Sequence, residues 1–177
     1  MRTIILSMAT LLTFAAAFAF APAANWQLTD KYSVRFTGTG DVGGIFKTMK
    51  GTIAFDDKDL AGSNFALAID VASINTGNGL MNTHAKSAEW FDAGKYPQIK
   101  FTSKKIVKNG ANYLVTGDME IHGVKKEMTL PFSFQNKGTT ATFNSTFTIN
   151  RSDFHVGKPG GDVGESIKLE IMVPVKK

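Results

Sequence analysis

From Val34 to Val175 apolar residues recur at every second position. That period belongs to a strand with one buried and one wetted face. Val34 and Phe36 share a face, as do Ile53 and Phe55. Phe65, Leu67, Ile69 and Val71 alternate with Ala66, Ala68, Asp70 and Ala72, and Ile99 and Phe101 flank Lys100. The pattern continues through Tyr113–Ile121, Val124–Phe134, Phe143–Ile149 and Ile167–Val175. Turn residues separate the runs: Asp56-Asp57-Lys58-Asp59, Asn109-Gly110, His122-Gly123 and Asn136-Lys137-Gly138. Such pairs and triplets close tight reversals. The chain is therefore expected to be all-β, an antiparallel meander of about eight strands. A closed barrel and a sandwich both place alternate residues inside, so alternation leaves both open.

One segment departs from period two. Leu80, Met81, His84, Ala85, Ala88 and Phe91 fall near helical spacing. Asn78 is placed to cap such a helix and Pro97 lies beyond its end, which predicts one short helix from about Gly79 to Trp90.

The first residues read as an export signal. Arg2 precedes an apolar run from Ile4 to Phe20, followed by Ala21-Pro22-Ala23-Ala24. A positive start, an apolar stretch and small residues at the cut are the features of a secretory leader. The expected division is a signal peptide over 1–23 and one domain over 24–177, with a periplasmic or secreted product. An uncleaved membrane anchor is the competing reading of Ile4–Phe20.

Composition narrows the chemistry. The 177 residues include no cysteine, which excludes thiol nucleophiles, thiolate metal sites and disulfides. Lys and Arg number 20 against 15 Asp and Glu, a net charge of +5. That balance suits a weak attraction to an anionic membrane surface and is too diffuse for nucleic acid. Lys104, Lys105 and Lys108, and the pair Lys125-Lys126, read as lysines on a solvated sheet face, the alternative being a membrane-facing patch near a barrel mouth. His84, His122 and His155 have no spacing that makes a local metal pair. Asp56, Asp57 and Asp59 lack the rest of a calcium loop. No G-x-S-x-G occurs. Asp118 and Glu120 lie on a polar strand face, where nothing tunes them for acid–base work. Gly157-Lys158-Pro159-Gly160-Gly161 precedes a strand, whereas a phosphate loop precedes a helix. The expectation is a protein that is not an enzyme. Eleven of the 14 phenylalanines follow the leader, mostly on the apolar strand faces. They suit either a packed core or an aromatic-lined lumen holding a long apolar ligand.

The order and spacing of several short motifs are similar to the YceI-like family of polyisoprenoid-binding periplasmic proteins. The resemblance begins at Trp26 and Ser33-Val34-Arg35-Phe36, and continues through Gly44-Ile45-Phe46 and Gly51-Thr52-Ile53-Ala54-Phe55-Asp56. Ser73-Ile74-Asn75-Thr76, His84, Ser87-Ala88-Glu89-Trp90-Phe91-Asp92 and Tyr96-Pro97 resemble the family's helix and its flanks. Phe101-Thr102-Ser103, then Gly117–Lys126 with Thr129-Leu130, resemble its central hairpin, and Asn150-Arg151-Ser152-Asp153-Phe154 its N-R-x-D-F signature. Tyr32, Ala85 and Glu89-Trp90 depart from the usual family residues near the helix and the pocket mouth.

The resemblance implies a lipocalin-like antiparallel barrel with a helical insertion, holding a polyisoprenoid or similar amphiphile. The expected partner is thus a long-chain apolar lipid, such as an isoprenoid lipid or quinone, with no other cofactor. The expected lumen residues on the early strands are Phe36, Phe55, Leu67, Ile69 and Phe101. Those on the later strands are Val115, Met119, Phe132, Phe134, Phe143, Phe147, Leu169 and Ile171. His84, Trp90 and Arg151 are the candidates for the mouth, Arg151 having a second reading as a structural salt bridge or a backbone clamp at a strand bend. The alternative function is an envelope interaction module, a filled barrel with no lipid ligand.

Overall fold

The computed structural model describes residues 25–40, 42–160 and 163–177. The expected signal peptide and its cleavage site lie outside the described residues, as does part of the glycine-rich run. Eleven strand segments and one helix follow in order. They are β1 (Asn25–Leu28), β2 (Ser33–Thr37), β3 (Gly43–Phe46), β4 (Met49–Ala54), β5 (Asn64–Asp70) and β6 (Ile74–Asn75). After α1 (Gly79–Lys86) come β7 (Gln98–Asn109), β8 (Asn112–Ile121), β9 (Val124–Asn136), β10 (Thr140–Asn150) and β11 (Ser166–Lys176).

Every pairing is antiparallel, in the order β1-β4-β5-β7-β8-β9-β10-β11, and β1 pairs back onto β11. The sheet is therefore a closed eight-stranded barrel, and the sandwich alternative falls. Ring closure gives each of the eight wall strands a neighbour on both sides over part of its length. The three short segments prolong wall strands. β2 continues β1 along β11, β3 continues β4 and pairs with β2, and β6 pairs with β3.

The wall strands bend where side chains replace the ladder. At the β3–β4 break the Tyr32 hydroxyl donates to the Lys47 carbonyl at 3.1 Å and accepts from the Met49 N–H at 2.8 Å. The Ser73 hydroxyl accepts from Thr48 N–H at 3.0 Å. Buried backbone groups need such partners. Tyr32→Phe removes the partner of the Met49 N–H, at a buried residue, and of the more exposed Lys47 carbonyl, and should cost about 1–2 kcal/mol. A urea titration reads it, and an unchanged midpoint would show that water takes over both bonds.

The helix is shorter than its apolar spacing predicts. It is capped as expected, Asn78 Oδ1 accepting from Leu80 N–H at 2.9 Å and Met81 N–H at 3.1 Å. It stops at Lys86, not Trp90, because Ser87 takes an extended conformation (ψ 166°). A turned segment follows. Phe91 N–H reaches the Ala85 carbonyl at 3.1 Å, and Asp92 adopts a left-handed φ of 44°. The turn swings Trp90 and Phe91 inward, with Phe91 edge-on to Phe46 at 6.0 Å. A continued helix would have carried them elsewhere.

One end of the barrel is packed solid with rings. Phe55, 1% exposed, lies 4.8–6.0 Å from the rings of Phe65, Tyr113, Phe132, Phe134 and Phe143. Trp26 packs edge-on to Phe134 at 5.7 Å and donates its indole N–H to the Phe55 carbonyl at 3.0 Å. Edge-to-face contacts of this kind suit the aromatic quadrupole. Burial pushes the Tyr113 phenol above its ordinary pKa, helped by the charge of Asp57. The outer face is polar. Lys104 pairs with Asp118 and Glu127, and Lys100 with Glu120, so both carboxylates of the Asp118/Glu120 pair are held in surface ion pairs.

Candidate functional site: the barrel cavity and its rim

The lumen is not filled. Above the ring cluster lies a cavity of about 710 Å³. Phe65, Phe132 and Phe143 belong to both and form its floor. Its walls are almost wholly apolar, because period-two alternation turns one face of each strand inward.

Eleven of the thirteen expected lumen residues border this cavity. They are Phe36, Leu67, Ile69, Phe101 and Val115, then Met119, Phe132, Phe143, Phe147, Leu169 and Ile171. Phe55 and Phe134 do not, and the expectation is corrected for both. Phe55 follows the last residue of β4 and turns into the closed end. Phe134 lies near the end of β9, beside Trp26 and Phe55. Alternation fixes which face a side chain takes, but not its depth along the barrel axis.

The structure adds wall residues beyond those expected. Phe65 and Leu130 stand on apolar faces that alternation marks, and Phe46 closes the Gly44-Ile45-Phe46 motif on β3. Met49 and Ile74 enter at the strand breaks, and Phe154 and Val156 from the segment after β10, where no period announces them.

Two glycines keep the walls thin. Gly117 stands on an inward-facing position of β8, and a Cβ there would come within 2.8 Å of the Phe101 ring. Gly44 pairs with Phe36, whose ring would meet an added Cβ at 2.8 Å. Both phenyl rings thus lie against bare backbone, leaving the space in front of them free.

The rim gathers the three expected mouth residues. His84 packs edge-on to Trp90 at 5.8 Å, and the Arg151 guanidinium lies 5.2 Å from the Trp90 ring centre. Glu89 joins them, 3.9 Å from His84 Nε2 and 3.5 Å from Lys158 Nζ. Arg151 is the backbone clamp. It is 4% exposed and has no carboxylate partner among the described residues. Its Nη1 donates to the Val156 carbonyl at 2.7 Å and its Nη2 to those of Lys158 and Val163 at 3.0 and 2.6 Å. Its Nε donates to the Gly164 carbonyl at 3.2 Å. The five-donor fork is nearly spent on the rim loop. The Trp90 indole N–H, by contrast, is buried with no partner among the described residues. A buried donor left unpaired is rare in a folded protein.

Beside the rim, Leu80 and Met81 of α1 border the cavity while standing 81% and 42% exposed. No helix among the described residues is long and apolar enough to cross a membrane.

Comparison with known proteins agrees with this architecture. A UPF0312 protein of Vibrio parahaemolyticus is 31% identical over 147 residues, covering 79% of this chain and 78% of that one. The crystal structure of BcnA from Burkholderia cenocepacia superposes with a TM-score of 0.80 at 28% identity, over 84% of this chain and 99% of that one. A polyisoprenoid-binding domain from Saccharophagus degradans shares the fold at TM-score 0.65 and 15% identity, over 86% of this chain and 97% of that one. The YceI-like domain matches residues 24–175, essentially all of the barrel, and the chain belongs to the YceI-like domain family.

Proposed function

We propose that this protein binds one long apolar lipid of the isoprenoid class, a polyprenyl chain or an isoprenoid quinone, and performs no chemistry on it. The observation that carries the reading is the open apolar cavity of about 710 Å³. That volume falls within the range of small-molecule sites. The polyisoprenoid binding of the Saccharophagus degradans domain, which has the same fold, supports the ligand class. Burial is the driving force, at roughly 25 cal/mol per Å² of apolar surface, reduced by the costs of association. The Trp90 indole N–H at the rim is buried and without a partner among the described residues, so a head group that accepts a hydrogen bond, such as a quinone carbonyl or a prenol oxygen, gains it only by shifting the side chains that cover it. Arg151 shapes the rim without touching the head group.

The leader-like segment Arg2–Ala24 supports export, and with it a periplasmic or secreted site of action. Leu80 and Met81 beside the mouth, with Lys86 on the same helix, suit loading at an anionic lipid surface.

Native mass spectrometry of protein purified gently from its own envelope tests the reading. The expected spectrum carries a stoichiometric adduct that solvent extraction identifies as an isoprenoid. Leu169 faces Phe36 and Phe147 across its two ladders, so Leu169→Trp fills the cavity from one wall. That variant should melt as a folded barrel and lose the adduct, with affinity for added lipid down about tenfold or more. Parent protein that stays lipid-free when offered prenols and quinones would overturn the proposal.

A further inference from the structure

Between two of its long strands the barrel wall has a seam that does not close. β9 and β10 pair only from Ala141↔Asn136 to Asn144↔Ser133. On their other sides the same strands are fully laddered, β9 to β8 from Phe132 back to Val124 and β10 to β11 from Thr140 to Asn150. Beyond Asn144, therefore, two ordered strands face each other without a ladder.

The cause is visible in the sequence. Continued register would set Thr146 opposite Pro131, which has no N–H to give. The Pro131 carbonyl accepts from the Ser145 hydroxyl at 2.6 Å, so this residue's backbone groups point toward β10. Proline thus stops the zipper, and serine caps the last carbonyl. Past that point alternate backbone amides of both strands face the seam and depend on water.

The cavity reaches this seam. Leu130, Phe147 and Ile149 border it from the two unpaired strands, and Phe147 and Ile149 are only half-buried. Asn144, which alternation turns outward, borders the cavity too. At the far end one ion pair bridges the gap, Lys126 Nζ to Asp153 Oδ1 at 3.2 Å, with Lys126 also lying over the Phe154 ring. Both partners are solvent-exposed, and such pairs hold weakly. The loop beyond is tied more firmly, because Arg151, two residues from Asp153, fastens it through four carbonyls.

We propose that the β9–β10 seam is a side portal of the binding site, latched by Lys126–Asp153, through which an apolar chain passes and a chain longer than the cavity protrudes. The proposal rests on the lipid-binding reading above. A chain lying in the seam touches Leu130, Phe147 and Ile149, while its head stays at the rim.

Two measurements on the whole mature protein test it. The first needs no ligand. Amide hydrogen exchange should be fast at alternate residues of Val124–Leu130 and Thr146–Asn150 and slow at their neighbours, which the β8 and β11 ladders protect. Uniform protection would show a closed seam and overturn the proposal. The second uses dansyl-farnesol as probe. Because the chain has no cysteine, Lys126→Cys with Asp153→Cys gives two unique thiols for a short bis-maleimide staple. Stapling should slow probe association and dissociation together, about tenfold, with little change in Kd. Pro131→Val, which restores an N–H facing β10, should slow exchange in the same sense without a cross-link. Binding at unchanged rates in both variants overturns the portal alone. Parent protein that binds no probe overturns the lipid reading and the portal with it.

Discussion

Phe55→Ala should lower folding stability by about 3–5 kcal/mol, among the largest losses that a single truncation here can produce. The side chain is 1% exposed and its ring meets five others. Removing it deletes the transfer energy of a phenyl ring and leaves a void at the barrel's closed end. The surrounding rings sit on laddered strands and already pack against one another, so they cannot easily collapse into the hole. A domain of this size has only about 5–15 kcal/mol in total. Urea denaturation would show the midpoint falling by roughly a fifth or more. The surviving native fraction should still bind lipid, because Phe55 does not border the cavity. A cost near or below 1 kcal/mol would mean that the ring cluster repacks freely and is not a rigid floor.

Arg151→Ala should cost about 3–4 kcal/mol, for a different reason. Nothing apolar of comparable size is lost. Four carbonyls, of Val156, Lys158, Val163 and Gly164, lose a charged donor at once. Hydrogen bonds to charged groups contribute about 1.5–3 kcal/mol each and do not add, since some of the freed carbonyls will find water. Arg151→Lys should recover little, because one ammonium on a flexible stem cannot reach four carbonyls arranged around a planar fork. The damage should be local, with amide protection lost first from 155 to 160 and from 163 to 165 and lipid affinity falling as the rim loosens. Full recovery by lysine would sink the clamp in favour of simple charge.

Much of this was legible in the chain, and the gaps have physical causes. Alternation from Val34 to Val175 marked eight walls, and eight strands close the ring. It could not place Phe55 and Phe134 along the axis, because a period of two carries facing and no height. It did not mark the bends either. Those depend on Tyr32 and Ser73 reaching across 15 to 25 residues of sequence to satisfy broken ladders. The helix end was missed because Leu80, Ala88 and Phe91 keep helical spacing past a residue whose backbone has already left the helix. The sequence offers the three rim residues and a clamp reading for Arg151, but not which carbonyls the clamp takes or that the Trp90 N–H is left without a partner among the described residues. Pro131 was in plain view, yet its meaning depends on which edge of β9 it faces.

The placement of the two tryptophans has a spectroscopic consequence. Trp26 is sealed in the closed end with its N–H bonded, and Trp90 stands at the rim beneath Arg151 with its N–H free. The intrinsic emission of the protein is therefore the sum of two indoles in unlike surroundings at opposite poles of the barrel. Replacing either one leaves a label-free signal that belongs to a single pole. A quenching atom carried at a known carbon of a bound chain could then be located by which indole it dims, so the molecule supplies its own depth gauge.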